Sequence, residues 1–292
     1  MQALYFECTS GISGDMTVAA LLDLGADERV LKKALSSIKA EGFEINISKV
    51  KKSGLECMDF DVILDLEHDG HDHDMEYLYG HTHGDENSHS HSLQHNHSHI
   101  HDHEHSHESG DNHEHGYQHH HHHRGMREIN EILSTVEMTE GARKICDSIF
   151  SILAEAESKA HGVPVEEVHF HEVGAIDSIV DIVAIGVCLD NIGIDKVFVP
   201  KLTEGQGTVR CQHGILPVPV PAVLNIVKEK DIPIEITNTM GELVTPTGAA
   251  TVAAIRTDEK LPDVFSVDGI GMGAGKRDYG LSGFLRIMKI NY

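Results

Sequence analysis

Apolar positions change their period several times along the chain, and each change marks an element. Ala3-Leu4-Tyr5-Phe6 predicts a short strand, Gly11 and Gly14 a turn, and Met16–Leu24 has helical spacing. A second helix is predicted over Arg29–Ala40. Strands follow near Phe43–Val50 and Met58–Leu66, the latter alternating through Phe60, Val62, Leu64 and Leu66. Helical spacing returns over Met126–Val136, Thr139–His161 and Ile176–Asn191, and strand-like runs at Lys196–Pro200 and Gly207–Cys211. Pro217, Pro219 and Pro221 lead into a helix over Ala222–Lys230, and Pro246 precedes another over Gly248–Arg256, because proline suits the first helical turn. Strands near Val264–Val267 and Gly283–Ile290 flank a glycine cluster at 269–275. Helices and strands mix without a repeated βαβ rhythm, which predicts an α+β fold with a mixed helix and strand core.

Between about residues 68 and 123 the apolar pattern stops. This stretch holds 21 of the 25 histidines, and no Lys or Arg occurs between Lys52 and Arg124. With almost no aliphatic side chains it cannot bury enough surface to offset its ordering entropy, so a long disordered insertion is expected. Three zones result: an N-terminal α/β segment over 1–67, a His-rich loop over 68–124 and an α+β domain over 125–292.

The 292 residues carry a formal charge of −24, which disfavours partners with a phosphate backbone or an anionic membrane surface and favours cations. Neither nucleic acid nor membrane is expected as a partner. Five scattered cysteines form no C-x-x-C pair and point to a reducing compartment. The first residues lack the basic and apolar regions of a signal peptide, and no apolar run reaches about 18 residues. A cytoplasmic location is expected.

Imidazole suits nickel, zinc and copper, and is mostly neutral near pH 7. His89, His91, His95, His97, His99, His101, His103, His105, His107 and the run His119, His120, His121, His122 and His123 put a donor at every second position or closer within each cluster. Interspersed acids such as Asp102 and Glu104 draw cations in before ligation. A flexible chain of this length spans roughly 40 Å, enough to carry metal across its own domain. Ligand type alone does not choose nickel over copper or zinc.

A sharper constellation runs from His169 to Asp181. In an extended stretch His169 and His171 face one side, and Asp177 and Asp181 share one face of the next helix at i and i+4. With Glu172 these five form a candidate metal site. The bland alternative is a helix cap with a surface carboxylate and hydrogen-bonded histidines. Glu7, Cys8 and Asp15 could line the same cleft. Gly269–Gly275 with Lys276 and Arg277 lacks the Walker A spacing but could hold a phosphate or carboxylate as a basic turn. Thr245 and Thr247 open a helix as a second anion cradle. His213 is a lone loop histidine, more often structural.

Taken in order, SGISGDM (Ser10–Met16), HFHEVGAIDSIVDIV (His169–Val183), CQHGILPVPVPA (Cys211–Ala222), ELVTPTGAA (Glu242–Ala250) and GMGAGKRD (Gly271–Asp278) resemble the nickel insertion proteins called LarC. The resemblance covers nearly the whole chain, which is similar to the N-terminal portion of that family. It implies a nickel chelatase, a lyase-type enzyme, acting on pyridinium-3,5-bisthiocarboxylic acid mononucleotide to make the nickel-pincer cofactor of lactate racemase-type enzymes. It further implies CTP with Mg or Mn, bound by a C-terminal domain, and a downstream apoenzyme as partner; a homo-oligomer is expected as well. Forming a nickel–carbon bond requires a base near the ring, and His171, Glu172 and His213 are the candidates. Lys276 and Arg277, with Thr245 and Thr247, are the candidates to hold the mononucleotide. The alternatives are a nickel store or metallochaperone that never touches the organic molecule, and a metal-dependent hydrolase.

Overall fold

Strand β1 (Gln2–Glu7) lies inside a six-stranded mixed sheet whose order is β2 (Phe43–Lys52), β3 (Leu55–Leu64), β11 (Ser266–Ala274), β12 (Phe284–Asn291), β1 and β6 (Val197–Phe198). The computed structural model describes residues 1–40, 42–64, 124–170 and 175–292. The His-rich tract, together with His171 and Glu172, lies outside the described residues. Strands β2 (Phe43–Lys52) and β3 (Leu55–Leu64) form a hairpin closed by Ser53-Gly54, both at positive φ (50° and 80°), the handedness that matches strand twist in a two-residue turn. Strands β11 (Ser266–Ala274) and β12 (Phe284–Asn291) pair antiparallel, β12 continues antiparallel to β1, and β6 (Val197–Phe198) runs parallel to β1. Strands from before residue 65 and after residue 123 therefore share one sheet.

Helix α1 (Gly14–Leu24) packs on β3, β11 and β12. Behind it lies α5 (Ile176–Ile192), which also receives α2 (Glu28–Ser36). Helix α4 (Glu140–His161) backs α5 and carries α6 (Pro221–Glu229) and α7 (Pro246–Ile255). Leu4, Phe6, Leu285 and Ile287 supply the sheet side of the core, and α5 is buried on almost every side from Ile179 to Leu189. On the sheet's other face Ala3, Phe198 and Ile290 make a smaller cluster. Helix α3 (Met126–Thr135) follows the two-residue strand β4 (Arg124–Gly125), which pairs with β5 (His169–Phe170).

The expected α+β class is the observed one. Several boundaries differ. The second helix stops at Ser36, short of the expected Ala40, where Ser37 bonds back to Ala34. The strand expected over Lys196–Pro200 pairs only at Val197–Phe198. Strands β7 (Leu202–Gln206) and β10 (Ile234–Met240) pair in parallel, and β9 (Gly214–Pro217) closes a hairpin with β8 (Thr208–Cys211); β7, β9 and β10 lack a clean alternation. The largest correction is the glycine cluster, expected as a turn between strands. Gly269, Gly271 and Gly273 lie within β11, and a Cβ at Gly271 or Gly273 would run into the Ala20 or Met16 carbonyl oxygen of α1. These glycines let a helix backbone lie directly on a strand.

Candidate functional site

The loop from Cys8 to Ser13 is stitched to the segment 243–245. Ile12 donates its N–H to the Leu243 carbonyl (3.0 Å), and Thr245 donates to the Ile12 carbonyl (3.1 Å). Gly11, at φ +86°, meets the Leu243 backbone where a side chain would not fit. The same close approach recurs at Gly248, whose Cβ position is occupied by the Ile12 backbone. The stitching brings the start of α1 and the start of α7 together. Thr245 caps α7, its Oγ1 accepting from the Gly248 N–H at 3.1 Å.

Between these helix starts opens a cleft of about 300 Å³. Asp15 on α1 and Asp177 and Asp181 on α5 line its floor, and Ser13 donates a hydrogen bond to Asp15. The Asp181 carboxylate lies against Gly14, in the space a Cβ would need, so the glycine admits the aspartate. Asp181 Oδ1 is shielded from solvent and has no hydrogen-bond partner among the described residues. Burial, then the charges of Asp15 and Asp177, push the Asp181 carboxyl well above the ordinary range, against the pull of Lys276. Three carboxylates meeting in a cleft have two ways to settle: hold a proton or hold a cation.

Lys276 and Arg277 line the cleft but are engaged with carboxylates. Lys276 Nζ lies 2.7 Å from Asp59 and 3.2 Å from Asp61, and Arg277 lies 2.6 Å from Glu242. Burial works against the Lys276 charge, yet the Asp59 hydrogen bond and the charges of Asp59, Asp61 and Asp15 outweigh it and raise its pKa. Six carboxylates line the cleft against three cationic side chains, so its field favours cations. Glu157 and His161 at the end of α4, and Cys211 and His213 around the β8–β9 turn, line the same cleft.

Of the candidates named from sequence, Asp177, Asp181, His213, Thr245, Thr247, Lys276 and Arg277 line this one cleft. His169 does not; it is exposed on β5, where Glu128 at the start of α3 feels its charge. His171, Glu172 and the histidines of the tract lie outside the described residues. Of the three residues flanking the first glycine turn, Asp15 joins the cleft. Glu7 pairs with Arg286 on the sheet and Cys8 is buried, its thiol pushed up to about 12 by burial and the Glu7 charge. Sequence reasoning missed Glu157 and His161, whose i, i+4 spacing looks like any solvent-facing helix pair, and Asp61, which sits on a strand. Among the described residues, no three His, Cys, Asp or Glu side chains close on one point as a metal cage. No helix among them is long and apolar enough to cross a membrane.

The family model described as "Nickel insertion protein" matches residues 4–291. A protein of Alkaliphilus metalliredigens named pyridinium-3,5-bisthiocarboxylic acid mononucleotide nickel insertion protein is 47% identical over 283 residues, covering 97% of this chain and 59% of the relative. Proteins of the same name from Clostridium acetobutylicum and Acetivibrio thermocellus are 42% and 35% identical, each covering 98% of this chain and 63% and 60% of the relative. The chain thus spans about three-fifths of the length of these relatives. No solved structure matches.

Proposed function

Because this chain belongs to the nickel insertion protein family, we propose that it inserts nickel into pyridinium-3,5-bisthiocarboxylic acid mononucleotide, as a chelatase of the lyase type. The observation that carries the reading is the acidic cleft. Its volume of about 300 Å³ suits a small organic substrate, and the negative charge of Asp15, Asp177 and Asp181 draws a divalent cation in without caging it. Nickel is here a substrate. The aspartates draw it in and trade the proton that burial and mutual repulsion favour on Asp181 for the ion.

The mononucleotide enters beside Thr245, Thr247, Lys276 and Arg277. Its phosphate competes with Glu242 for Arg277 and with Asp59 and Asp61 for Lys276, so binding rearranges two ion pairs already in the cleft. A ring proton leaves as the nickel–carbon bond forms, and His213, His171 and Glu172 remain the candidate bases. CTP with Mg or Mn comes into the proposal through the family resemblance, and is assigned to the part of the longer relatives beyond the matched stretch. A lactate racemase-type apoenzyme as recipient and a homo-oligomeric assembly belong to the same proposal.

The test is direct. The chain is incubated with nickel and the mononucleotide, with and without the C-terminal part and CTP, and the organic product is weighed. A product heavier by one nickel and lighter by the displaced protons supports insertion. Nickel that stays on the protein under every condition supports a store or metallochaperone instead.

A further inference from the structure

Two groups of residues lining the cleft differ in chemical softness. The floor offers only carboxylates, while the group on α4 and the β8–β9 turn offers a thiol, two imidazoles and one carboxylate. In the turn Cys211-Gln212-His213-Gly214, Cys211 pairs with Gly214 and the positive φ of Gly214 (94°) closes the chain. This brings Cys211 Sγ to 3.9 Å from His213 Nδ1. The His213 and His161 rings lie 5.0 Å apart, and Glu157 Oε2 stands 3.5 Å from His161 Nε2. Of the five cysteines, Cys8, Cys57, Cys146 and Cys188 are buried and Cys211 is half-exposed.

We propose that Cys211 and His213 form a nickel transfer site, with His161 as a further ligand within reach and Glu157 orienting it. The proposal rests on the nickel-insertion reading and adds to it the residues from which the ion is handed over. Thiolate and imidazole are donors that nickel accepts readily and that hard cations such as Mg disfavour, so this group sorts ions that the aspartate floor does not. The incomplete cage belongs to the argument. A site that closes four ligands stores its metal, whereas one that leaves positions open lets an incoming ligand displace the protein. Two protein donors leave room for the thiocarboxylate sulfurs to bind before Sγ and Nδ1 let go. On loading, the Cys211 thiol releases its proton to solvent and nickel stays Ni(II). On transfer, the Ni–Sγ bond breaks with its electron pair returning to sulfur, which then takes up a proton, while the substrate sulfurs bond to nickel. Glu157 is a carboxylate behind a ligating imidazole, an arrangement that fixes ring orientation and strengthens the donor.

The experiment uses the full chain stripped of metal, with nickel chloride as the only probe. Two readouts ignore the histidine tract, which contains no cysteine: alkylation of Cys211 by iodoacetamide, followed by peptide mass, and the thiolate-to-nickel charge-transfer absorption. Nickel should slow alkylation of Cys211 and raise the absorption band in the native chain. Cys211→Ser should abolish the band, His213→Ala should weaken protection strongly, and Glu157→Gln should raise the half-saturating nickel about tenfold, as second-layer changes do. Unchanged alkylation in excess nickel overturns the proposal. So does a band that survives Cys211→Ser, or protection that survives His213→Ala and therefore comes from nickel bound elsewhere. Nickel transfer by Cys211→Ser at the native rate under limiting nickel also overturns it, and leaves the insertion reading standing. Protection by nickel in a chain that never metallates the mononucleotide, even with the C-terminal part and CTP, removes the insertion reading and with it the transfer role.

Discussion

Asp181 concentrates the conflict between stability and function in one side chain. Burial and the neighbouring Asp15 and Asp177 raise its folded pKa above the ordinary carboxylate value. Its contribution to stability is therefore complete below the unfolded carboxylate range and is lost as pH rises through the raised value. Whenever it is ionised without a cation nearby, the buried charge beside Asp15 and Asp177 strains the cleft. Asp181→Asn should melt higher than the native chain without metal, where each kcal/mol is worth roughly 2–4 °C in a chain this long. The same variant should gain less from added nickel and should lose insertion. A variant that melts lower, or that gains as much from nickel as the native chain, would contradict the shared-carboxylate account. The i, i+4 spacing of Asp177 and Asp181 was legible in the sequence because a helix turns it into proximity by local geometry alone. Asp15 and Asp61 reach the same cleft through sheet and helix packing, which no local spacing encodes.

Among the elements, the helices were the readable part, since α1, α4 and α5 carry long periodic stretches of apolar side chains. Strand β11 was not, because its glycines look like a loop until the helix that lies on them is known. Gly273→Ala should destabilise the chain by about 1–3 kcal/mol, the usual effect of overpacking, since its Cβ would meet the Met16 carbonyl. A urea midpoint equal to that of the native chain would show that α1 can retreat without cost. Strand β7 hid for the opposite reason, its LTEGQ run placing a buried glutamate where an apolar residue is expected. Glu204 Oε1 accepts the N–H groups of Leu243 (2.6 Å) and Val244 (3.1 Å), so it holds the segment that carries Glu242 and Thr245 into the cleft. Burial pushes its carboxyl from 4.5 up to about 7, the Leu243 and Gly205 amides opposing and the Glu242 charge adding to the rise. Stability from this group is whole below pH 4.5 and is lost as pH rises through about 7. That window is worth on the order of 3 kcal/mol. Glu204→Gln should flatten the decline between pH 5 and 8, and an unaltered pH profile of unfolding would rule Glu204 out as its source.

For the whole molecule the open question was how the zones on either side of the histidine tract meet. They meet in one sheet, and Asp15 from the first joins Asp177 and Asp181 from the second across α1 and α5. The cleft is thus completed by residues that precede the tract and residues that follow it, with the tract entering the chain after β3. On the function proposed above, this topology would separate two tasks, delivery by the tract and reaction in the cleft, that metal binding alone would blur. The tract offers 21 interchangeable histidines, so it can raise the local nickel concentration without any one of them mattering. The cleft offers few donors, Asp177 and Asp181 among them, and each loss there should be felt. Replacing residues 68–123 by a Gly/Ser linker should keep a cooperative unfolding transition and lower bound nickel from several ions per chain to about one, since loop length enters stability only logarithmically. Insertion by that variant, assayed with the C-terminal part and CTP, should be slow at limiting nickel and recover fully when nickel is saturating. His171→Ala in the otherwise native chain should behave in reverse, binding nickel almost as well in total yet failing to insert it at any concentration. If saturating nickel rescues His171→Ala, then His171 serves delivery rather than reaction. If it fails to rescue the linker variant, the tract does more than concentrate the metal.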